Sequence, residues 1–276
     1  MFSLEGKCVM VTGGGRGIGR GISRAMAKAG ANVVVTGRKP EPLAEAVKEI
    51  RAMGGKAIDL AGDICSFAHI NAVVKAAQDT YGYVDCWVNN AGSADAADVG
   101  PLIDMREDQF DRVVDLNLKW TFFAAQAAAR AMTRGGAIIN ISSRSGSQPC
   151  PMTGQYGAAK AGIDNFTATM AVEWGHKNIR VNAVAPGVVL TDNDKSTSMK
   201  SDSRRRRQIE TVPMRRLGNV DDVAHMCVYF ASDEAQWVTG QVVQVNGGSR
   251  IPVGLLTYLW KTNKEMEEKE AGGAAG

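Results

Sequence analysis

The sequence lacks any run of about eighteen apolar residues, the length that a membrane-spanning helix needs. Its net charge is only +3 at pH 7, and it has no basic stripe with interleaved aromatic residues. We therefore predict neither a membrane span nor a nucleic-acid surface. Residues 1–7 contain no apolar stretch of signal-peptide type, and we expect a cytoplasmic protein.

Histidine and cysteine are scarce. The three histidines, His69, His176 and His225, lie in separate segments without the spacing of metal ligands, so no metal site is predicted. The five cysteines are scattered, odd in number and free of any Cys-x-x-Cys pair. This pattern favours reduced thiols over a disulfide framework.

The length and composition are those of a globular protein. The chain has 276 residues, of which 45% are hydrophobic and 22% charged, and it is long enough for one substantial core. We predict a single domain over residues 1–248, followed by a C-terminal extension over residues 249–276 with a disordered tail.

Short apolar runs alternate with helical stretches along the chain. The predicted strands are Cys8–Thr12, Asn32–Thr36, Lys56–Asp59, Cys86–Asn89, Ala137–Ile141, Arg180–Ala185 and Gln241–Val245. The predicted helices are Arg20–Ala29, Pro42–Met53, Phe67–Tyr81, Asp108–Met132, Gln155–Gly175 and Val220–Ala231. Such alternation predicts an α/β fold, a doubly wound parallel seven-stranded sheet of Rossmann type with helices on both faces. Ligands of such sheets bind beyond the carboxyl ends of the strands.

A glycine-rich turn joins the first strand to the first helix, with the sequence Gly13-Gly14-Gly15-Arg16-Gly17-Ile18-Gly19. Strand, glycine turn and helix in this order indicate a dinucleotide site. Glycine lets the backbone approach a pyrophosphate closely, and the helix N-terminus offers it free N–H groups.

The end of the second strand bears on the choice of nucleotide. An NAD site normally has a carboxylate there for the ribose 2′-hydroxyl, but this chain continues with Arg38 and Lys39, and its nearest carboxylate is Glu41. Arg16 adds a cation in the glycine turn. Since a guanidinium suits a 2′-phosphate, we predict NADP(H), with NAD(H) as the alternative.

Tyr156 and Lys160 lie four residues apart on a predicted helix, and Ser143 precedes them. Residues at i and i+4 share one helix face. An ammonium group beside a phenol favours the phenolate. We therefore expect Lys160 to lower the pKa of Tyr156, so that Tyr156 can exchange a proton with an alcohol or carbonyl oxygen.

These motifs together resemble the short-chain dehydrogenase/reductase family, in its short-subunit form and close to bacterial 3-oxoacyl carrier-protein reductases. The matching residues are Thr12 through Gly19, Asp63, Asn89-Asn90-Ala91-Gly92, Asn117, Ser143, Tyr156, Lys160, and Pro186-Gly187 through Thr191. They occur in the family's order as far as about Gly248.

The resemblance implies a role for each matching residue. Tyr156 is the expected general acid/base, Ser143 holds the substrate oxygen, Lys160 also binds the nicotinamide ribose, and Asn117 completes the proton relay. The expected cofactor-binding residues are Gly13, Arg16, Gly17, Ile18, Gly19, Arg38, Asp63, Ile64, Asn90, Ala91, Gly92, Tyr156, Lys160, Pro186, Gly187, Val189 and Thr191.

The substrate is not evident from the sequence. The candidate pocket walls are Ser145, Gln148, Met152, Gln155 and Val188, a mixed polar and apolar set. The family's mobile lid corresponds to about residues 191–218, which here include four consecutive arginines, Arg204 to Arg207. Consecutive residues point around a helix, so we expect the arginines to be mostly solvated.

The C-terminal extension contains an apolar cluster, Leu255, Leu256, Tyr258, Leu259 and Trp260. An apolar patch of this kind is expected to be covered, either over the substrate mouth or against another subunit. The family resemblance implies a homo-oligomer, a tetramer or a dimer.

Three functions fit these observations. The first is an NADP(H)-dependent oxidoreductase that transfers hydride between nicotinamide and a small-molecule carbonyl or secondary alcohol. The second is an NAD-dependent dehydrogenase of a secondary alcohol or hydroxyacyl thioester. The third is a catalytically silent nucleotide sensor, against which the intact set of catalytic residues argues.

Overall fold

The computed structural model describes residues 2–191 and 202–249. It contains seven strands: β1 (Cys8–Thr12), β2 (Asn32–Gly37), β3 (Lys56–Ala61), β4 (Cys86–Asn89), β5 (Gly136–Ile141), β6 (Ile179–Pro186) and β7 (Val242–Val245). They form one sheet in the order β3-β2-β1-β4-β5-β6-β7, and every neighbouring pair is parallel. The predicted doubly wound parallel sheet is confirmed.

In the described part of the chain eight α-helices connect or flank the strands: α1 (Gly17–Lys28), α2 (Pro40–Ala52), α3 (Phe67–Tyr81), α4 (Glu107–Val114), α5 (Trp120–Ala131), α6 (Gly154–Trp174), α7 (Asp202–Glu210) and α8 (Val220–Ala231). One hydrophobic cluster joins α1, α2 and α8 to one face of the sheet. A second cluster joins α3, α5 and α6 to the other face. Because both faces are covered, β1 and β4 are buried along their whole length.

The strand order fixes where a ligand can bind. From β1 the chain adds β2 and β3 on one side of the sheet, and it then adds β4 to β7 on the other side. The direction of winding therefore reverses between β1 and β4. At such a switch point the loops after the two strands diverge and leave a crevice at their carboxyl ends. The glycine turn follows β1 and residues 90–92 follow β4, so both lie at this crevice.

The predicted helix Asp108–Met132 is wrong as a continuous α-helix. The structure has α4, then a π-helical segment Asp115–Lys119, then α5. Asn117 lies in this segment, is buried, and donates through Nδ2 to the Val113 carbonyl at 2.9 Å. The wider turn thus directs a polar side chain inward, a distortion that is frequent at functional sites.

The lid region is only partly described. Its two ends are joined, because Leu190 N donates to the Gly218 carbonyl at 2.8 Å and Gly218 N donates to the Val188 carbonyl at 3.0 Å. Helix α7 contains the four arginines, and Arg205 and Arg206 are exposed, as predicted. Residues 192–201 and the apolar cluster of residues 255–260 lie outside the described residues.

The described residues also bear on the predicted absences. Within 2–191 and 202–249 no helix is long and apolar enough to cross a membrane. The same residues contain no group of three or more His, Cys, Asp or Glu side chains that could hold a metal ion. All five cysteines are free, and three of them, Cys8, Cys86 and Cys227, are buried.

Candidate active site

Two cavities at the carboxyl edge of the sheet share Gly13 as a lining residue. The Tyr156 cavity has a volume of about 340 Å³ and is lined by the glycine turn, the loop after β4, the end of β5, α6 and the loop after β6. The Arg38 cavity has a volume of about 400 Å³ and is lined by the ends of β1, β2 and β3 and by the segment around Asp115. Gly13, Ala91 and Gly92 border both cavities.

The glycine turn is packed so tightly that side chains are excluded. A Cβ on Gly19 would lie 2.2 Å from the Gly13 carbonyl oxygen, and one on Gly14 would lie 2.7 Å from Ser23 Oγ. Gly13 also has a φ of +63°, in the left-handed region that glycine tolerates. The bare backbone leads directly into α1, whose N-terminus carries unsatisfied N–H groups. This cradle fits the pyrophosphate of a dinucleotide.

Thr12 and Asn90 tie the glycine turn to the loop after β4. Thr12 Oγ1 accepts hydrogen bonds from the backbone N–H groups of Asn90 and Ala91, both at 2.9 Å. Asn90 Nδ2 donates to the Thr12 carbonyl at 2.8 Å. The amide of Asn90 therefore holds the two walls of the cleft together rather than pointing freely into it.

Ser143, Tyr156 and Lys160 all line the Tyr156 cavity. Ser143 follows β5, while Tyr156 and Lys160 lie one turn apart on α6, as their spacing predicts. Lys160 is 5% exposed, and its Nζ donates to the Ile141 carbonyl at 2.9 Å. The same Nζ lies 5.5 Å from the centre of the Tyr156 ring.

The sequence predicts that Lys160 lowers the pKa of Tyr156, but in the structure the pKa of Tyr156 is raised. Burial raises the pKa of Tyr156, while a hydrogen bond with Ser143 acts in the opposite direction. The reason is that Lys160 reaches inward to the Ile141 carbonyl instead of pairing with the phenol. At neutral pH Tyr156 is therefore a protonated phenol, the form that can donate a proton.

The Lys160 pKa is lowered from 10.5 to about 8, with burial as the main cause and Asp164 acting against it. A buried ammonium without water loses much of its preference for the charged form. Lys160 is thus poised to change its charge near neutral pH.

Asn117 lies behind the loop after β4, close to Lys160. Its Nδ2 donates to the carbonyls of Ser93 and Val113, at 2.8 and 2.9 Å. Its Oδ1 is buried and has no hydrogen-bond partner among the described residues. A Cβ on Gly92 would lie 2.5 Å from this oxygen and 3.3 Å from Lys160 Nζ. Gly92 therefore lies between Asn117 Oδ1, which has no partner among the described residues, and the buried Lys160 Nζ. A side chain at position 92 would fill the space between these two atoms.

Arg38 and Asp63 lie in the Arg38 cavity, at the ends of β2 and β3. Arg38 is exposed and has no ion-pair partner within residues 2–191 and 202–249. Glu41, the carboxylate nearest to it in sequence, does not line the cavity. The cavity thus combines a guanidinium available for an anion with the carboxylate of Asp63.

Most of the predicted cofactor residues line these two cavities. The Tyr156 cavity contains Arg16, Ile18, Gly19, Asn90, Pro186, Gly187 and Thr191, and the Arg38 cavity contains Ile64. Gly17 and Val189 line neither of them. Gly17 instead begins α1 with a φ of +49°, and Val189 pairs with Gly218.

The candidate substrate residues are not gathered in the Tyr156 cavity. Val188 lines a separate cavity of about 390 Å³ together with Met214 and Gly248. Gln155 is 1% exposed, and its Nε2 donates to the Asp98 carbonyl at 2.6 Å. Its amide nitrogen is therefore used within the protein. Ser145, Gln148 and Met152 are partly buried and line neither of the two cavities at the glycine turn.

Sequence reasoning missed several residues at the site. Arg112 and Trp120 line the Arg38 cavity, and Arg112 also pairs with the buried carboxylate of Asp98 at 2.6 Å. Ser142 lines the Tyr156 cavity, and Asp164 lies close enough to affect the pKa of Lys160. Of these residues, Asp164 alone had a signal in the sequence, because its i+4 spacing from Lys160 places both on one helix face.

Comparisons with known proteins identify the family of the chain. A family model described as enoyl-(acyl carrier protein) reductase matches residues 13–250. A 3-oxoacyl-[acyl-carrier-protein] reductase of Staphylococcus epidermidis is 37% identical over 245 residues, covering 88% of this chain and 98% of the relative. Glucose 1-dehydrogenase 2 of Bacillus subtilis is 35% identical over 249 residues, covering 89% and 95%.

Among solved structures, 7α-hydroxysteroid dehydrogenase complexed with NADH and 7-oxo glycochenodeoxycholic acid is similar, with a TM-score of 0.84 and 36% identity over 90% of this chain and 95% of that one. The family model, these relatives and the seven-stranded fold agree with the motifs that first indicated the resemblance. The chain belongs to the short-chain dehydrogenase/reductase family and is an oxidoreductase that acts on CH–OH and C=O groups.

Proposed function

We propose that the protein is an NADP(H)-dependent carbonyl reductase, which also oxidises secondary alcohols in reverse, and that Tyr156 is its general acid/base. The observation that carries the proposal is the shared cavity, in which Ser143, Tyr156 and Lys160 face the glycine turn. The side chain that would transfer the proton and the glycine turn that would hold the dinucleotide therefore line the same cavity.

A bound reduced nicotinamide supplies the hydride. Tyr156 donates its phenolic proton to the carbonyl oxygen as negative charge develops there. Ser143 binds the same oxygen and holds it beside Tyr156, since the two side chains already interact. The ammonium charge of Lys160 lies 5.5 Å from the centre of the Tyr156 ring and stabilises the phenolate from that distance once the proton has left, without a direct hydrogen bond to it. Asn117 Oδ1, which has no partner among the described residues, accepts a hydrogen bond in the relay that restores the proton.

A carbonyl panel tests the proposed function directly. NADPH consumption is followed with ethyl acetoacetate, a 7-oxo bile acid and cyclohexanone, and NADP reduction is followed with glucose. Three of these probes represent the compound classes named for the relatives. We expect turnover with at least one of them. NADPH that binds tightly but is never oxidised across the panel would favour the nucleotide sensor instead.

The preference for NADP(H) rests on Arg38, which lies in the Arg38 cavity without an ion-pair partner among the described residues. Arg38→Leu should raise the Kd of NADPH by about 10- to 100-fold, because a charge-assisted hydrogen bond is worth roughly 1.5–3 kcal/mol. The Kd of NADH should change by less than about threefold. Isothermal titration calorimetry with both nucleotides gives the comparison.

The matched control is Arg130→Leu, which removes the same charge from an exposed position on α5. It should leave both affinities unchanged. Tighter binding of NAD(H) than NADP(H) by the unsubstituted protein would contradict the proposed preference. A specific observation keeps NAD(H) as the second candidate, since the 7α-hydroxysteroid dehydrogenase structure contains NADH.

The Lys160 charge predicts the pH dependence of the reaction. Its pKa is about 8, so the ammonium form predominates below pH 8 and is lost above it. The kcat/KM for NADPH, measured with a saturating carbonyl substrate, reports the groups of the free enzyme. It should fall by about tenfold per pH unit above pH 8 if the ammonium is required. A flat profile between pH 7 and 10 would contradict this requirement.

The proposal includes a homo-oligomer, a dimer or a tetramer. It is supported by large apolar side chains that one chain leaves exposed, among them Val172 on α6 at 84% and Trp237 at 97%. Light scattering on the full chain measures the oligomeric state, and the same measurement after truncation at Gly248 tests whether residues 249–276 contribute. The cytoplasmic location stays a prediction.

A further inference from the structure

Asp164 lies on α6 one turn beyond Lys160, and neither the motifs nor the proposed reaction assigns it a role. The side chain is partly buried, and its Oδ1 is buried without a hydrogen-bond partner among the described residues. Its Oδ2 lies against the loop that carries Ser143, because a Cβ on Gly146 would be 2.7 Å from that oxygen. The carboxyl group is thus held at the loop that carries Ser143, with one of its two oxygens buried.

Lys160 needs a compensating charge. It is nearly fully buried, and its Nζ donates to a neutral carbonyl, that of Ile141. An ammonium group in such a place is costly unless an anion lies nearby. Without that anion the lysine would give up its proton and remain neutral.

The groups around Lys160 leave one anion for this purpose. On its own helix, Tyr156 lies one turn before it and Asp164 one turn after it. The other packed elements contribute the neutral groups of Ile141, Gly92 and Asn117.

The charged residues on those packed elements are directed elsewhere. In the π-helical segment, Asp115 and Lys119 pair with each other at 3.2 Å. In the loop after β5, Arg144 donates to Ser249 Oγ at 3.2 Å. Asp164, one helical turn from Lys160, is thus the described carboxylate whose charge acts on the buried lysine, and it does so without a direct ion pair within 4 Å among the described residues.

We propose that Asp164 is a positioning residue, whose carboxylate keeps the buried Lys160 in the ammonium form that the reaction uses. The inference rests on the proposed function for the role of Lys160, but the charge relation itself belongs to the folded protein. Gly146 allows this relation, because any side chain there would collide with the Asp164 carboxylate.

The charge effects on the two groups agree with this arrangement. Asp164 raises the pKa of Lys160 against the larger effect of burial. Burial raises the pKa of Asp164, whereas Ser142 and Lys160 lower it. Ser142 Oγ, like Asp164 Oδ1, is buried without a hydrogen-bond partner within 3.5 Å in the described part of the chain. The serine hydroxyl lies near enough to lower the pKa of Asp164, so it favours the carboxylate form as Lys160 does.

Asp164→Asn tests the proposal, because it removes the charge and keeps the shape. The direct readout is the ¹³Cε chemical shift of Lys160 as a function of pH, in protein carrying ¹³C-labelled lysine and assigned with Lys160→Arg. We expect the titration of Lys160 to move from about pH 8 to lower pH by about one unit, the size that a nearby opposite charge gives. An unchanged titration would overturn the proposal.

The kinetic readout is the pH profile of kcat/KM for NADPH. Its descending limb should move to lower pH by the same amount, so that activity at pH 6.5 is largely kept and activity at pH 8 falls by about tenfold relative to it. A uniform loss at every pH would indicate a merely structural role and would also overturn the proposal. The chemical shift is measured without substrate, so it reports the charge of Lys160 even if the protein turns over no substrate. Absence of turnover would then count against the proposed function alone.

Two further variants keep the test interpretable. Asp79→Asn removes the same charge at an exposed site on α3 and should shift neither titration nor profile. If Asp164→Asn does not fold, as judged by thermal unfolding, Ser142→Ala replaces it. That change removes a group that lowers the Asp164 pKa, so it should shift the Lys160 titration in the same direction by a smaller amount, and no shift would count against the proposal.

Discussion

Tyr156→Phe is expected to lower kcat/KM for carbonyl reduction by about 10²- to 10⁴-fold, the usual contribution of a positioned acid/base. The substitution removes the phenolic proton but keeps the ring, whose centre lies 5.5 Å from Lys160 Nζ. Binding of NADPH should therefore change little, and the loss should lie in kcat. Initial rates together with a calorimetric Kd for NADPH separate the two effects.

The control for this prediction is Tyr83→Phe. Tyr83 is exposed and stacks against Arg134, just before β4 and at the opposite edge of the sheet. Loss of its hydroxyl should leave kcat/KM within about twofold, as expected for a surface site away from any special feature. Full turnover by Tyr156→Phe on a substrate that the unsubstituted protein reduces would refute the assigned role of Tyr156.

Gly19→Ala is expected to weaken NADPH binding by about 100-fold or more. The new Cβ would lie 2.2 Å from the Gly13 carbonyl oxygen and 2.5 Å from Asn90 Nδ2. Because the first of these atoms belongs to the backbone, no side-chain rotation relieves the collision and the glycine turn must move. A misplacement of about 1 Å at a positioning element can cost about 10²-fold. Calorimetry with NADPH measures the loss.

Gly175→Ala provides the comparison for Gly19→Ala. Gly175 caps the C-terminus of α6 with ordinary helical φ and ψ, and a Cβ there would meet no atom of the described residues within 4 Å. Its NADPH affinity should equal that of the unsubstituted protein. Equal affinities for all three proteins would mean that the glycine turn is not the nucleotide cradle.

The strands were predictable because a parallel sheet covered on both faces needs short, wholly apolar runs. Cys8–Thr12 and Cys86–Asn89 agree with the structure residue for residue. The approximate place of the site was predictable for a related reason, since the carboxyl ends of parallel strands share one edge. That rule and the family motifs together predict that the glycine turn, Ser143 and Tyr156 lie at one site, and all of them line the Tyr156 cavity.

The environment of Lys160 was not predictable from the sequence. Helical spacing places Lys160 beside Tyr156, but it does not say whether the ammonium turns to the phenol or to the end of β5. The structure directs it to the Ile141 carbonyl, a contact across 19 residues that no local pattern encodes. The raised pKa of Tyr156 follows from this tertiary arrangement and from burial.

The π-helical segment has a similar explanation. Residues 108–132 carry a helical pattern throughout, so the pattern predicts one helix. The wider turn at Asp115–Lys119 allows Asn117 to reach the Ser93 carbonyl at 2.8 Å in the loop after β4. This contact with a loop distant in sequence is not encoded in the local helical pattern. Asn117 Oδ1 keeps no hydrogen-bond partner among the described residues.

The most direct test of the proposed reaction is a single-turnover reaction with NADPH that carries deuterium at nicotinamide C4 on the transferred face. The proposed reaction predicts an alcohol with one deuterium on the former carbonyl carbon and an equal amount of NADP, with Tyr156→Phe forming both products at least about 100-fold more slowly. An alcohol without deuterium, or equal single-turnover rates for the two proteins, would contradict hydride transfer with Tyr156 as the proton donor.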